Sequence, residues 1–541
     1  MTIDLTPYAG RWVALVGDAV AGVGHTPEEA KRLAQHNRPK DRVVLRFVEA
    51  PGGEPLPLPP LLAELRPFFL KLDAPVYLVG GAVRDALRGV ENHDLDFVTA
   101  HRAIPLAFSI GDKLHKPAYI LDRERDAGRV VLAEENTTLD FTCFRGGSLE
   151  ADLADRDFTI NALALPATAV TTASLIDPFN GLADLAHKRL RLVQPDALSR
   201  DPIRTLRAVR QATSFGFELT DVTKTAVIAA APLLSTTSVE RMRDELVKML
   251  DTAVPHLAIA HLFELELLAE LLPEAAALAD VAQSPPHHEP VLAHTISVLR
   301  WLVAVETAVI DQQPAPHPDL ADAAVRLTAY SQPLQTYLNR NIVGGLNGRS
   351  LLRLAALCHD IGKKTTQTIE EDGRIRFLGH DDVGAALAAA RLRQLTFSNQ
   401  VCKQVETAVA HHMRPLLLAQ SGKTPSRRAV YRYFQAASET GLDIALLSLA
   451  DHLATYNGSG EAAAWQNLLN VVVELFRQYF EEFSATVAPQ PLLNGRDLID
   501  GLHIPAGPEV GRILRLIQEA QAAGDISTRE EALAFAHQSR Q

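Results

Sequence analysis

Cysteine is scarce in this chain. Three residues, Cys143, Cys358 and Cys402, lie far apart among 541, with no CxxC spacing. That excludes a disulfide scaffold and any cysteine-rich zinc module, and it suits a reducing cytoplasm. No uninterrupted apolar run of ~18 residues occurs; LAIAHLFELELLAELL is broken by His261, Glu264, Glu266 and Glu270. No membrane partner is therefore expected. The opening MTIDLTPYAG has no basic stretch followed by an apolar one, so no signal peptide is expected. Positive charge is also in deficit: 53 Lys+Arg against 65 Asp+Glu give −12, which argues mildly against a nucleic-acid partner. There is no internal repeat and no long low-complexity tract. What is present, 47 % hydrophobic and 22 % charged residues, describes a folded protein, and the length predicts three or more domains.

The pattern predicts a multidomain α+β chain. Residues 1–50 read as a small separate β/α unit: WVALVGD, AVAGVGH and RVVLRFV as strands, TPEEAKRLAQHN as a helix capped by Thr26. PGGEPLPLPP (51–60), with five prolines and two glycines, reads as a linker. Residues 61–193 alternate helices with the strands VYLVG, LDFVTA, RVVLA and TLDFTCF, giving a β-sheet head. Beyond about 195 the periodicity is helical almost throughout. SPPHHEP (284–290) divides a neck, 194–283, from a domain at 284–456. AVIDQQPAPHPDL (308–320) reads as a loop or insertion, and 457–541 as a helical tail.

Chemistry concentrates at LVGGAVRDALRG and HDLDFVTA (78–100). A strand ending in Gly80-Gly81 and opening into a helix offers bare backbone N–H groups to an anion such as a triphosphate. On the next strand Asp94 and Asp96 are two apart and share a face. Paired carboxylates repel unless a hard cation sits between them, and Mg²⁺ suits such oxygen ligands. By itself the pair equally describes a solvated edge strand.

In order, GGAVRDALRG, DLD, RDFTINALAL (156–165), DPFNGLADLAHKRLRLV (177–193) and DPIRTLRAVRQATSFGF (201–217) resemble the bacterial-type CCA-adding tRNA nucleotidyltransferases and bacterial poly(A) polymerases. The resemblance spans about 65–275. It implies a nucleotidyltransferase head in which Asp94 and Asp96 hold two Mg²⁺, with Asp140 supporting them; one metal activates the RNA 3′-hydroxyl and the other steadies departing pyrophosphate. It also implies nucleotide contacts from Gly80, Gly81, Arg84, Arg156, Asp157, Asn161, Asp201, Arg204 and Arg207. Asp201 and Arg204 lie three apart on a predicted helix, hence on one face. A carboxylate accepting from the exocyclic amino group and a guanidinium donating to the ring nitrogen would pass C and A; U and G invert that pattern. Three positions depart from the family: Arg200 replaces a usual Glu, Asp155 a common second Arg, and Gln211 a frequent aromatic. The implied activity is template-independent CCA addition to tRNA from CTP and ATP. Poly(A) synthesis, C-only or A-only addition, or an RNA-processing phosphohydrolase with a non-catalytic head are the alternatives.

A second constellation follows. His294, the adjacent His359 and Asp360, His380, His411-His412 and Asp451 come from five helical segments, in an order that resembles the HD phosphohydrolase superfamily. The resemblance implies a core metal site of His294, His359, Asp360 and Asp451, with His380 and His412 completing a second; His411 is the register alternative. Mixed imidazole and carboxylate ligands favour a divalent transition metal (Mn, Fe, Co or Ni) over Mg²⁺. Metal-activated water attacking phosphate esters or 2′,3′-cyclic ends is the implied reaction.

Basic residues are unevenly spread. Between Lys188 and Arg210 seven of them, including Arg189, face only Asp196 and Asp201, a local +5. GKTPSRRAVYRYF (422–434) carries Arg427, Arg428 and Arg432 interleaved with Tyr431 and Tyr433. Both clusters suit RNA phosphates, and the tyrosines could stack on bases. A solvated helix face explains the second cluster equally well. No protein partner is predicted.

Overall fold

The computed structural model describes residues 3–8, 11–24, 27–48, 53–169 and 171–539. The chain packs as two compact units, residues 1–230 and 231–541.

In the first unit β1 (Arg11–Val16), β2 (Ala19–Gly24) and β3 (Val44–Val48) form an antiparallel sheet in the order β2-β1-β3, with a helix at Pro27–Asn37. The expected cap Thr26 lies outside the described residues. The amino-terminal sheet shares its core with the head. Trp12, Ala30 and Ala34 join one apolar cluster with Tyr77, Val79, Val98, Phe144 and Leu149 of the head. The rings of Trp12 and Tyr77 lie 5.7 Å apart. A three-stranded sheet with one helix has too little apolar surface of its own for an independent core, so it shares its neighbour's. The described part of the proline-rich linker is also laid down: Leu56 and Leu58 pack on the head, and Glu54 bonds Thr172.

The head is a six-stranded sheet: β4 (Val76–Val79), β5 (Asp94–Thr99), β6 (Ala118–Asp122), β7 (Ala127–Leu132), β8 (Thr137–Cys143) and β9 (Ala164–Pro166). Its order is β6-β7-β8-β5-β4-β9, with only β5 and β8 parallel. The four expected strands form. β6 was not expected because Tyr119, Ile120 and Leu121 are all exposed, so this edge strand shows no alternation. Along β5, Leu95 and Phe97 enter the core with Leu139 and Phe141 of β8, while Asp94 and Asp96 take the opposite face. Past Leu192 this unit is helical apart from a two-residue strand, Glu218–Leu219, that pairs with Arg189–Leu190; its principal helices are Ile203–Phe215 and Asp221–Ala230.

The second unit is helical apart from two-residue strand pairs. Its central helix, Gly441–Tyr456, is buried at every position from Gly441 to Thr455. Val291–Ile310 is the one stretch among the described helices long and apolar enough to span a membrane; 67 % of its most apolar window is buried, as in a core helix. The segment expected as a loop at 308–320 starts inside a π-helical turn, Glu306–Ile310, anchored by a buried ion pair of Glu306 with Arg353 at 2.5 Å. The tail helices Gly495–Leu502, Pro508–Ala523 and Arg529–Gln538 pack around Leu498, Leu502, Ile513 and Ile517. All three cysteines are free thiols.

Candidate active sites

In the head, strand register assembles the acids. Asp96 pairs with Asp140 across β5 and β8, and Asp140 with Arg129 across β7 and β8. Arg129 donates two 2.6 Å bonds to Asp140, and Thr138 donates one of 2.7 Å to Asp94. Neither Arg129 nor Thr138 was anticipated; an alternating hairpin strand signals their positions but not their partners. Protein crowded around its carboxylate raises the pKa of Asp96 to about 6; Arg156 opposes this, and Asp140 and Asp94 add to it. Residues of this kind fit a hard divalent cation, which would supply charge neutralisation. The three carboxylates do not close into a cluster within 4.8 Å; Asp140 is bonded to Arg129 and Asp94 to Thr138.

Gly80 precedes the helix Gly81–Leu87 with φ +70°, a conformation that favours glycine. A Cβ there would meet the Arg156 guanidinium at 2.7 Å and Asp96 at 3.7 Å, so the turn, the arginine and the acid share one corner. Arg156 is steadied by Asp152 at 3.0 Å. Arg84 adjoins the turn at Gly81, where a Cβ would meet its guanidinium at 3.4 Å; it is buried, bonded to Asp85 (2.9 and 2.8 Å) and Asn161 (2.6 Å), and lies 4.4 Å from the Phe215 ring. Asp157 accepts from Phe158 N–H, Asn161 Nδ2 and Arg207 Nε, each at 2.8 Å, and Asn161 donates on to Gln211. Burial works to raise the Asp157 pKa, but the Arg207 charge and these donors hold it below the ordinary carboxylate range. Asp157 and Asn161 are buried and fix Arg207, whose side chain stays partly exposed.

The expectation that Asp201 and Arg204 share a helix is corrected. Asp201 is extended (φ −146°) ahead of the helix Ile203–Phe215, while Arg204 occupies its first turn. The pair is 3.9 Å apart, and Arg204 donates to the carbonyls of Asp155 (2.7 Å) and Ala197 (3.3 Å). Pro202 ends the preceding helical turn before Asp201, because the residue before proline is disfavoured in α conformation.

The second unit brings its predicted ligands together. His294, His359 and Asp360 form one group whose ligand atoms lie within 4.8 Å, and Asp360, His380 and His412 form another. Asp451 joins the first through His294 Nε2 at 3.0 Å. His359, His380 and His412 each turn Nδ1 to a backbone carbonyl, of Ala356, Phe377 and Val409, at 2.7–2.8 Å. That fixes Nε2 inward, as in metal-ligating histidines. Asp360 Oδ2 lies 3.2 Å from His359 Nε2 and 2.7 Å from Lys363 Nζ, and this buried set of imidazole and carboxylate donors fits a divalent metal. The register question falls to His412, which is buried in the cluster, while His411 lines a different cavity. Burial works to raise Asp360, but the His359 and Lys363 charges hold its pKa well below normal; His412 is pushed down to about 4 by burial. Lys363, 2.7 Å from Asp360, and His287, 5.0 Å from the His294 ring, were missed. SPPHHEP signalled only a chain break. The cluster floors a cavity of about 690 Å³ that also reaches Arg374, Phe377 and Tyr456.

The predicted RNA residues divide. Lys188 and Arg189 are exposed, and Arg210 is half-buried. The second cluster is corrected: Tyr431 and Tyr433 are buried and cannot stack on a base. Arg428 pairs with Asp525 and Glu519, Arg432 bonds Glu519 at 2.5 Å, and Arg427 bonds Thr486. The helix Arg427–Ala437 thus uses its basic face to hold the helix Pro508–Ala523 and the turn after it.

This geometry matches known proteins throughout. Residues 76–191 match the poly A polymerase head domain, 216–278 the "Probable RNA and SrmB- binding site of polymerase A", and 336–456 the HD domain. A CC-adding tRNA nucleotidyltransferase of Thermus thermophilus is 33 % identical, covering 87 % of this chain and 94 % of its own. The chain belongs to the tRNA nucleotidyltransferase family. An A-adding tRNA nucleotidyltransferase of Deinococcus radiodurans is 34 % identical, with 85 % and 94 % covered. Among solved structures, a CCA-adding enzyme with CTP shares the fold at TM-score 0.58 and 20 % identity, over 89 % of this chain and 96 % of that one. As a tRNA nucleotidyltransferase with an HD domain, the protein has two domains that imply divalent metal use, and the groups able to hold an ion among the described residues lie in the HD domain.

Proposed function

We propose that this nucleotidyltransferase builds or repairs the 3′-terminal CCA of tRNA from CTP and ATP without a nucleic-acid template. The observation that carries the reading is the corner formed by Asp94, Asp96, Gly80 and Arg156. Asp94 and Asp96 would hold Mg²⁺, which supplies Lewis-acid neutralisation of the triphosphate. Arg156 offers fixed charge where the leaving pyrophosphate develops its own. Arg204, steadied by two carbonyls, points its guanidinium edge beside the Asp201 carboxylate for reading C and A. Lys188, Arg189 and Arg210 supply phosphate contacts for tRNA.

The HD cluster supports a second activity, phosphohydrolysis of phosphate esters or 2′,3′-cyclic ends with a divalent transition metal. His294, His359, Asp360 and Asp451 would hold the first ion, and His380 and His412 the second. Lys363 and Arg374 offer positive charge to a substrate phosphate.

A narrower reading also has specific support. The Thermus relative is named for adding CC and the Deinococcus relative for adding A, at nearly the same identity. One assay decides. Labelled tRNAs ending before, within and after CCA are offered CTP, ATP or both, with Mg²⁺. Growth that stops after CCA supports the main reading, growth halting after CC or only after A the narrower one, and long A tails a polymerase. No growth on any substrate overturns the transferase reading.

A further inference from the structure

Two of the residues that depart from the family pattern meet in space. Arg200 donates to Asp155 Oδ1 at 2.7 Å, while Arg145 holds Oδ2 at 3.1 Å and Asp196 takes the other arm of Arg200 at 3.2 Å. Resting on the nucleotide-selecting role of Arg204 above, we propose that the Asp155–Arg200 ion pair is a positioning clamp that sets the base-reading guanidinium of Arg204.

The connectivity supports this. Asp155 ends the helix Leu149–Ala154 and directly precedes Arg156, which reaches the Gly80 and Asp96 corner. Arg200 ends the helical turn Ala197–Arg200 and directly precedes Asp201. Arg204 bridges the same two segments from behind, bonding one carbonyl in each, Asp155 and Ala197. Side-chain bonds between Asp155 and Arg200 therefore fix the separation of the two carbonyls that aim Arg204. If that separation widens, the guanidinium loses one carbonyl and swings relative to Asp201. Arg145 and Asp196 flank the pair and fix its polarity in this chain.

A purely structural role is disfavoured by exposure. The side chains are 39 % and 33 % exposed, and ion pairs in such settings add little to stability. Geometry is what the pair can supply.

The test uses the full chain and compares CTP, ATP and UTP incorporation on tRNA. Asp155→Asn keeps the backbone carbonyl and removes the charge. It should cut discrimination against UTP about tenfold, mainly through KM for CTP and ATP, with kcat and the Mg²⁺ dependence held within about threefold. Arg200→Gln should do the same, Arg200→Lys should restore most of the selectivity, and the double variant should be no worse than either single one. Unchanged selectivity in both single variants, or losses that add fully in the double, would overturn the clamp. Arg204→Ala is measured alongside. If it blurs selectivity and Asp155→Asn does not, only the clamp fails; if Arg204→Ala leaves selectivity intact, the base-reading role fails and the clamp with it.

Discussion

Asp96 and Asp140 are direct neighbours on parallel strands, yet only Asp140 has a full counter-charge, the Arg129 fork at 2.6 Å. The register makes Asp96 the available acid and Asp140 its held neighbour. Asp96→Asn should therefore reduce nucleotide addition about a thousandfold or more, and Asp140→Asn only about tenfold. Single-turnover incorporation of CTP checks the ranking; equal losses would show that Asp140 leaves Arg129 in the working enzyme.

Raising the Asp96 pKa to about 6 sets a pH window. A protonated carboxyl does not bind metal, so apparent Mg²⁺ affinity should fall about tenfold per pH unit below that value and level off above it. Titration of addition rate against Mg²⁺ from pH 5 to 8 reads this directly. Asp96→Asn should remove the inflection together with the tight site.

Separate ligand sets predict separable losses. Asp94→Ala should abolish nucleotide addition and leave phosphohydrolase activity intact. His412→Ala should lower the metal content measured on purified protein, while His411→Ala should leave it unchanged, because only His412 faces Asp360 and His380.

Exposed and ion-paired arginines should differ in salt dependence. Lys188→Ala and Arg189→Ala should each lower the slope of log tRNA affinity against log salt by about 1. Arg428→Ala and Arg432→Ala should leave the slope unchanged and loosen the tail, seen as earlier proteolysis beyond residue 487.

These outcomes reflect what sequence can carry. Asp94 and Asp96, the five-segment His and Asp set, and the four main head strands are legible because each is a local pattern or an ordered series of motifs. Pairing across strands is not: Arg129 is eleven positions from Asp140, and nothing local names it as the partner. Tyr431 and Tyr433 read as base-stacking because burial by other helices leaves no mark in a short window. Asp201 reads as helical because three-residue spacing alone cannot tell a helix from the extended residue before Pro202. Lys363 and His287 become visible only once Asp360 and His294 have locations.

The tilted contact of Trp12 with Tyr77 bears on where this catalytic module begins. The family head starts at residue 76, but its sheet has two greasy sides, and the second is covered by Trp12, Ala14, Ala30 and Ala34 of the amino-terminal sheet and helix. Cutting at the familial boundary would bare Tyr77, Val79 and Phe144, leaving a sticky sheet immediately behind the Gly80 turn. Heredity and mechanics thus draw the module's edge in different places, and a fragment meant to be soluble should follow the mechanical one.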